Sequence, residues 1–290
     1  MTPHSELLEI LPEGLPANTS SSEAACLIAE RIAGLPRGEA PRIAGINGAQ
    51  GSGKSTLSRL VVEALSRFHG SRTVLLSLDD FYLGKPWRYR LESEVHPLCV
   101  TRGVPGTHDV QLMDETIAAL ERADPEDRTP LPRFDKLSDD RKPREEWPEF
   151  EGPPDVILLE GWCVGLLERD VPTWSGPVNE LEEQEDPDGE WFRWSFEALR
   201  SEYPIIWDRI DMLVSIEVRD LEAVIASRLL QEEDLKEDGE HKRMDREAVT
   251  RFVQHYERYT RALWDAMPAR ADMLFRRDNQ FGYSLVERES

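Results

Sequence analysis

Eight consecutive residues, Gly48-Ala49-Gln50-Gly51-Ser52-Gly53-Lys54-Ser55, set three glycines, a lysine and a hydroxyl at the spacing G-x-x-x-x-G-K-[ST]. The chemistry this spacing serves is the cradling of phosphate. Glycine admits backbone conformations that turn several N–H groups toward one anion. A helix beginning near Lys54 adds its positive dipole end. Lys54 supplies a mobile cation for β- and γ-phosphates, and the Ser55 hydroxyl is placed to ligate Mg²⁺. Gly48 through Thr56 are therefore the candidate nucleotide contacts, with ATP and Mg²⁺ as the expected ligands. A glycine-rich turn that binds nothing has no need of Lys-Ser directly after its last glycine. The run specifies a bound nucleotide and leaves the reaction open.

Carboxylates close two apolar runs. Val74-Leu75-Leu76 leads through Ser77-Leu78 to Asp79-Asp80-Phe81-Tyr82, and Val156-Ile157-Leu158-Leu159 leads to Glu160-Gly161. Acids at the end of a buried strand pack poorly, so a place beside the phosphates is the better reading. A hydroxyl that accepts a phosphoryl group must be aligned and must lose its proton, and a carboxylate takes it. Asp79 is the candidate base, and Asp80 the candidate for a water-mediated contact to Mg²⁺. The alternative, that either one caps the following turn, stays open. Glu160 has a Walker-B-like setting, suited to a hard cation or its water, with an exposed strand-end acid as the alternative.

Acceptor contacts are expected from Tyr82, from the Gly/Pro-rich loop Arg102 to Asp109 (Arg102, His108, Asp109), and from Asp135, Lys136 and Arg141. A turn with a helix cap, or a solvated charged loop, are the competing readings of these segments. Arg228, Lys236, Lys242, Arg243 and Arg246 flank a polar stretch that is a candidate lid, about 228–246. Arginine suits phosphate through its planar fork. Phe252, Val253, Tyr256 and Tyr259 recur at helical spacing and read as core, as do Trp191, Trp194, Trp207 and Trp264.

These groups need elements to position them. Arg42 to Ile46 reads as a buried strand entering the glycine loop, and Thr56 to Phe68 as an amphipathic helix leaving it. Further strands are expected at Thr73 to Leu78, Asp155 to Leu159, Met212 to Val218 and Asp272 to Phe275. Helices are expected at Ser22 to Leu35 with Ser21 or Ser22 as cap, from Asp109 through Leu120, at Trp191 to Ile206, at Asp220 to Leu235 and at Asp245 to Met267. Residues 1–21 read as irregular, 83–108 as loop-rich, 123–154 as an irregular excursion, and 180–190 as an acidic surface stretch. Strands alternating with helices argue for an α/β fold with a parallel sheet covered on both faces. In such sheets ligands sit at the carboxyl ends of the strands, which gathers the glycine loop, Asp79 and Glu160 into one place. Residues 1–40 form an N-terminal extension with one helix, and 41–290 the principal domain, interrupted by an acceptor-side excursion at about 83–154 and an acidic insertion at about 168–190.

With 290 residues, 39% of them hydrophobic, the chain can bury a sizeable core. A formal charge of -22 argues against a duplex nucleic-acid partner, which needs a basic footprint. Three widely spaced cysteines, Cys26, Cys99 and Cys163, point to reduced thiols in the cytoplasm and no zinc site. No apolar run approaches membrane-spanning length, so no membrane partner is expected. The expected partner is a small molecule.

Ser77-Leu78-Asp79-Asp80-Phe81-Tyr82 resembles the signature after the second strand in the uridine kinase, phosphoribulokinase and pantothenate kinase group. A larger set resembles plant-type D-glycerate 3-kinase and its bacterial and fungal relatives: Gly45 to Thr56, Arg102-Gly-Val-Pro-Gly-Thr-His-Asp109, Pro132-Arg-Phe-Asp-Lys136, Leu158-Leu-Glu-Gly-Trp-Cys-Val-Gly165, and Leu221 to Val224 with Arg228. The resemblance runs from about residue 40 to about 277. It implies a P-loop fold with five parallel strands and a moving helical lid. It further implies phosphoryl transfer from ATP, with Asp79 as base, Lys54 and Ser55 on phosphate and Mg²⁺, Glu160 as the Walker-B acid and Arg228 as the lid arginine. D-glycerate is the implied acceptor. Another hydroxylated metabolite, such as uridine or pantothenate, and a nucleotide-binding regulator without transfer are the alternatives. Leu137 and the pair Asp139-Asp140 stand where close relatives more often carry Ser and Gly.

Overall fold

The computed structural model describes Leu7, residues 18–234 and residues 243–287. Helix α1 (Thr19–Ala33) precedes strand β1 (Arg42–Gly48), helix α2 (Lys54–His69) and strand β2 (Thr73–Ser77). Helices α3 (Lys85–Glu94) and α4 (Val110–Glu121) lead to β3 (Val156–Gly161), α5 (Glu190–Ser201), β4 (Met212–Val218) and α6 (Leu221–Asp234). Helix α7 (Arg246–Arg270), β5 (Met273–Arg277) and β6 (Tyr283–Leu285) complete the order. The sheet runs β6-β5-β4-β1-β3-β2.

Five of these strands are parallel, as the pattern of apolar runs predicts. The sixth, β6, lies antiparallel on β5 and was not foreseen. It is three residues long and half exposed, too short to show a period. Both faces of the sheet are covered because alternate residues of each strand point to opposite sides. Ile43, Ile157, Leu159 and Leu213 enter a core shared with α4, α5 and α7. Ala44, Ile46, Val156, Leu158, Met212 and Val214 enter a second core beneath α1 and α2. Ala49 of the glycine loop, Val218, Val224 of α6 and Val249 of α7 form a third.

Several elements differ from expectation. Helix α1 is capped by Asn18, whose side chain accepts from the Ser21 N–H at 3.0 Å, in place of Ser21 or Ser22. Of the irregular segment expected at 1–21, residues 1–6 and 8–17 lie outside the described residues. Helix α3 occupies part of the region read as loop; Trp87 and Tyr89 are exposed and Arg88 is its one buried residue, so it carries no apolar stripe. The excursion before β3 holds two short antiparallel ribbons, Arg128–Pro130 with Glu149–Glu151 and Phe134–Asp135 with Asp140–Arg141. Pro204 divides the helix expected at Trp191 to Ile206. Among the described residues no helix is long and apolar enough to cross a membrane.

The acidic stretch is not uniformly surface. Glu180, Glu183 and Asp188 are exposed, but Glu182 and Asp186 are buried. Both oxygens of Glu182 receive the guanidinium of Arg258, with Nε at 3.0 Å and Nη2 at 2.5 Å. That guanidinium lies over the rings of Trp174 and Phe192, 4.5 and 4.7 Å from their centroids. Asp186 accepts from the N–H groups of Trp191 and Phe192, fixing the start of α5. A buried charge is tolerated only with such a partner. Arg258→Met alone is therefore expected to lower unfolding free energy by about 3–5 kcal/mol, while Glu183→Gln on the exposed side stays within about 0.5 kcal/mol. Urea midpoints of the two variants test this.

Candidate active site

The glycine loop sits at the carboxyl end of β1, in the middle of the sheet. Gly51 and Gly53 have φ of 72° and 83°, in the left-handed region that side chains disfavour. Neighbours exclude a side chain there as well. A Cβ on Gly51 would lie 2.6 Å from Ser227 Cβ of α6, and one on Gly53 would lie 2.2 Å from the Tyr283 hydroxyl of β6. Tyr283 donates to the Ser52 carbonyl at 3.0 Å. The loop is thus clamped between a helix and an edge strand. Lys54, Ser55 and Thr56 open α2 directly behind it. The Gln50 side-chain oxygen and the Ser52 hydroxyl are buried with no hydrogen-bond partner.

The parallel register brings the acids to the same level. Ser77 of β2 stands beside Glu160 of β3, and Glu160 beside Ile46 of β1. Glu160 Oε1 accepts from the Ser55 hydroxyl at 2.9 Å and from the Ser77 hydroxyl at 2.8 Å. Its other oxygen is buried and unpartnered. Asp79 follows β2 in a short 3₁₀ turn, Leu78–Phe81. Its Oδ1 accepts from the Tyr82 hydroxyl at 3.0 Å and its Oδ2 from Lys136 Nζ at 2.6 Å. Burial pushes this carboxyl upward, but the charges of Lys136 and Lys54 outweigh it and hold the group well below the usual carboxylate range.

Nine of the expected residues line one cleft of about 140 Å³: Gln50, Gly51, Lys54, Ser55, Asp79, Tyr82, Arg102, Lys136 and Arg228. Arg228 lies 5.4 Å over the Phe252 ring and pairs with Glu232 one turn on. Arg102 pairs with Asp139 and lies 5.4 Å over Phe134. Lid residues Lys236 and Lys242, with the whole of 235–242, lie outside the described residues, and Arg246 pairs with Glu222.

Five expected site residues serve other contacts. Asp80 does not face Ser55 and Glu160. Its oxygens accept from the Phe134 N–H at 3.1 Å and from Arg133 at 3.1 Å, tying down the acceptor-side excursion. Asp109 caps α4, accepting from the Leu112 N–H at 3.0 Å, and its second oxygen receives Arg141 at 2.9 Å. Arg141 also donates to the Tyr82 carbonyl at 2.9 Å, so its fork is committed to scaffold. Asp135 accepts from the Leu137 and Ser138 N–H groups, shaping the turn that presents Lys136. His108 lies behind the cleft, stacked on Tyr82 at 4.7 Å, with Nδ1 2.6 Å from the Tyr203 hydroxyl. Burial drops its imidazole to about 3, so it is neutral at physiological pH.

Sequence reasoning passed over Gln231, gave no contact to Ser77, Asp139 or Trp162 although each stands in a segment it singled out, and assigned Phe252 and Tyr256 to the core. Trp162, Gln231, Phe252 and Tyr256 line the cleft. Tyr256 is buried, as a core residue should be, yet its hydroxyl donates to the Arg102 carbonyl at 2.9 Å and its ring meets Trp162 edge-on. Trp162 donates to the Gly103 carbonyl at 2.9 Å. Trp162 follows Glu160-Gly161 directly, a placement the sequence did display. Asp139 has a φ of 55° and pairs with both Arg88 and Arg102, which accounts for an acid at a position better suited to glycine.

A parallel sheet with a phosphate-cradling glycine loop at its centre, an acid at the neighbouring strand end and a second carboxylate beside cations defines a P-loop kinase. No family model matches the chain. Over 223 residues it is 34% identical to uncharacterized kinase mug58 of Schizosaccharomyces pombe, a match covering 74% of this chain and 78% of that protein. Over 243 residues it is 31% identical to the chloroplastic D-glycerate 3-kinase of Arabidopsis thaliana, covering 80% of this chain and 50% of that protein. Among solved structures, D-glycerate 3-kinase from Cryptococcus neoformans aligns with a TM-score of 0.65 at 26% identity, over 93% of this chain and 97% of that one. The chain belongs to the family of P-loop kinases that contains these proteins, and spans half the length of the plant relative.

The neutral His108 has a consequence for stability. Its folded value of about 3 lies below the unfolded value near 6.5, so between these the unfolded chain binds the extra proton. Stability is then lost as pH falls below about 6.5, by about 1.4 kcal/mol per unit from this group alone. In His108→Gln the pH slope of unfolding free energy between 6 and 4 is expected to flatten by about one proton, as read from denaturant titrations.

Proposed function

We propose that the protein is an ATP-dependent phosphotransferase acting on the alcohol group of a small hydroxy acid, D-glycerate, to give 3-phosphoglycerate. The observation that carries this reading is the meeting of two sets of groups in one cleft: Lys54 and Ser55 of the glycine loop, and Asp79 flanked by Lys136 and Arg102. The first set suits a triphosphate. The second suits a hydroxyl that must lose a proton and an anionic group that must be held.

In this reading the loop N–H groups and Lys54 bind the β- and γ-phosphates. Asp79 aligns the acceptor hydroxyl toward the γ-phosphorus and takes its proton as the new O–P bond forms. Arg102 and Lys136 hold the acceptor carboxylate. Arg228, on the α6 side of the loop, stabilises charge on the transferring group. The residues present fit a divalent cation, because Glu160 Oε2 is buried without a partner and the Ser55 hydroxyl stands beside the other Glu160 oxygen. Mg²⁺, held there by Ser55 and by Glu160 through water, would neutralise charge on the β,γ-oxygens. The three free cysteines fit a reducing setting, and a cytoplasmic location belongs to this reading.

The test is coupled ADP release with MgATP and, in turn, D-glycerate, L-glycerate, uridine, cytidine, pantothenate or no acceptor. ADP release with D-glycerate alone, lost in Asp79→Asn, is the expected result. Release with uridine and none with glycerate would move the assignment to a nucleoside kinase, and ATP binding with no response to any acceptor would move it to a binding-only protein. Arg102→Ala is expected to raise KM for glycerate by about tenfold or more while KM for ATP changes little. Equal effects on both would remove Arg102 from the acceptor pocket.

A further inference from the structure

We propose that Lys136 is a displaceable plug on Asp79, so that this carboxylate is released for chemistry only when an anionic acceptor draws the lysine away. The inference rests on the proposed function and goes further, making the acceptor's negative charge a condition for transfer and not merely a handle for binding.

Each of the two oxygens of Asp79 carries one donor, and the two donors are of opposite character. Oδ1 holds the Tyr82 hydroxyl at 3.0 Å. Tyr82 is buried, stacked on His108 at 4.7 Å and met edge-on by Phe134 at 5.4 Å. His108 is itself fixed through Nδ1 to the Tyr203 hydroxyl, which also accepts from the Gly106 N–H at 3.1 Å. Moving Tyr82 would dismantle that stack. Oδ2 holds Lys136 Nζ at 2.6 Å. The Lys136 side chain is 62% exposed and projects from the turn that Asp135 shapes. Its four-carbon stem has several rotatable bonds, so the ammonium can reach another anion without a shift of the backbone. Of the two donors, Lys136 on Oδ2 is the one that can exchange without rearranging the core.

Displacing the ammonium from Oδ2 costs an ion pair unless another anion receives it. Water and neutral alcohols present a hydroxyl but bring no anion of their own. A hydroxy acid presents both, so its carboxylate takes Lys136 while its hydroxyl takes the vacated oxygen. The hydroxyl proton then passes to Asp79 Oδ2, the acceptor oxygen bonds to the γ-phosphorus, and the bond to the β,γ-bridging oxygen breaks with its electron pair leaving on ADP. With water as acceptor the same displacement yields ADP, inorganic phosphate and a proton. The plug suppresses this reaction while the pocket holds no acid.

The experiment compares wild type, Lys136→Met, Lys136→Arg and the double variant Asp79→Asn/Lys136→Met. ADP release is measured with MgATP alone, with D-glycerate and with uncharged glycerol. Lys136→Met is expected to release ADP without acceptor about fivefold or more faster than wild type, and to lose most of the preference for glycerate over glycerol. Lys136→Arg should keep the low acceptor-free rate. The double variant should lose the extra hydrolysis, which separates an unplugged Asp79 from a site merely opened to solvent. An acceptor-free rate in Lys136→Met at or below that of wild type overturns the plug, even where wild type phosphorylates glycerate and the proposed function stands. Raised hydrolysis in Lys136→Met that depends on Asp79, with no glycerate activity in wild type, supports the plug and removes glycerate as the acceptor.

Discussion

The buried carboxylate of Glu160 is the fixed point of this molecule. A charge taken out of water is tolerated only where donors meet it. Here the donors are two hydroxyls from separate elements, Ser55 at the start of α2 and Ser77 at the end of β2. Both bonds require β1, β2 and β3 to lie in one register, with Ser77 opposite Glu160 and Glu160 opposite Ile46. A slip of one residue would exchange Ile157 and Leu159 with Val156 and Leu158 between two cores of different shape, and would carry Glu160 away from Ser77. Neutral donors satisfy one oxygen without cancelling its charge, and the other oxygen stays unmatched. The architecture thus holds a carboxylate beside Ser55, at the start of α2 behind the glycine loop.

The cations of the cleft follow a complementary rule. In a chain of net charge -22, a pocket for anions must be locally basic. In the proposed function Lys136, Arg102 and Arg228 meet this need, and each is already paired: with Asp79, with Asp139 and with Glu232. Such pairs orient long side chains before a ligand arrives. Under the proposed function an incoming anion would exchange one partner for another, with less ordering left to do. Asp79 and Asp139 are partly buried and Glu232 is buried, so solvent screens their charges less than it would on the open surface.

Behind the polar groups stands a layer of rings. Tyr82, His108 and Tyr203 form one connected set, and Trp162, Tyr256 and Phe252 another. Each tyrosine or tryptophan offers one polar atom to the cleft wall while its ring fills the core. Tyr82 to Asp79, Tyr256 to the Arg102 carbonyl and Trp162 to the Gly103 carbonyl are such contacts. The loop from Arg102 to Asp109 is held by its neighbours' rings and hydroxyls and from within by Thr107, whose hydroxyl accepts from the Gly103 N–H at 2.8 Å and donates to the Val104 carbonyl at 2.7 Å.

Local pattern alone determined much of this protein. The glycine loop, the strand before it and the helix after it occupy consecutive residues, so spacing exposes them, and β4 matches its expected bounds, Met212–Val218. The strand-end positions of Asp79 and Glu160 were legible because an acid closing an apolar run is a local anomaly. Helix α3 and strand β6 were not legible, the first for want of an apolar stripe and the second for want of length. The roles of Asp80, His108, Asp109, Arg141 and Tyr256 were decided by contacts with residues distant in sequence. Arg133, Tyr203, Asp109 and Arg102 stand 53, 95, 32 and 154 positions from the partners they meet. A sequence shows which groups can bond, through their types and their period. Which oxygen of Asp79 meets a fixed tyrosine and which a mobile lysine depends on how separate elements pack, because hydrogen bonds act over about 3 Å while the chain that joins these partners runs for dozens of residues.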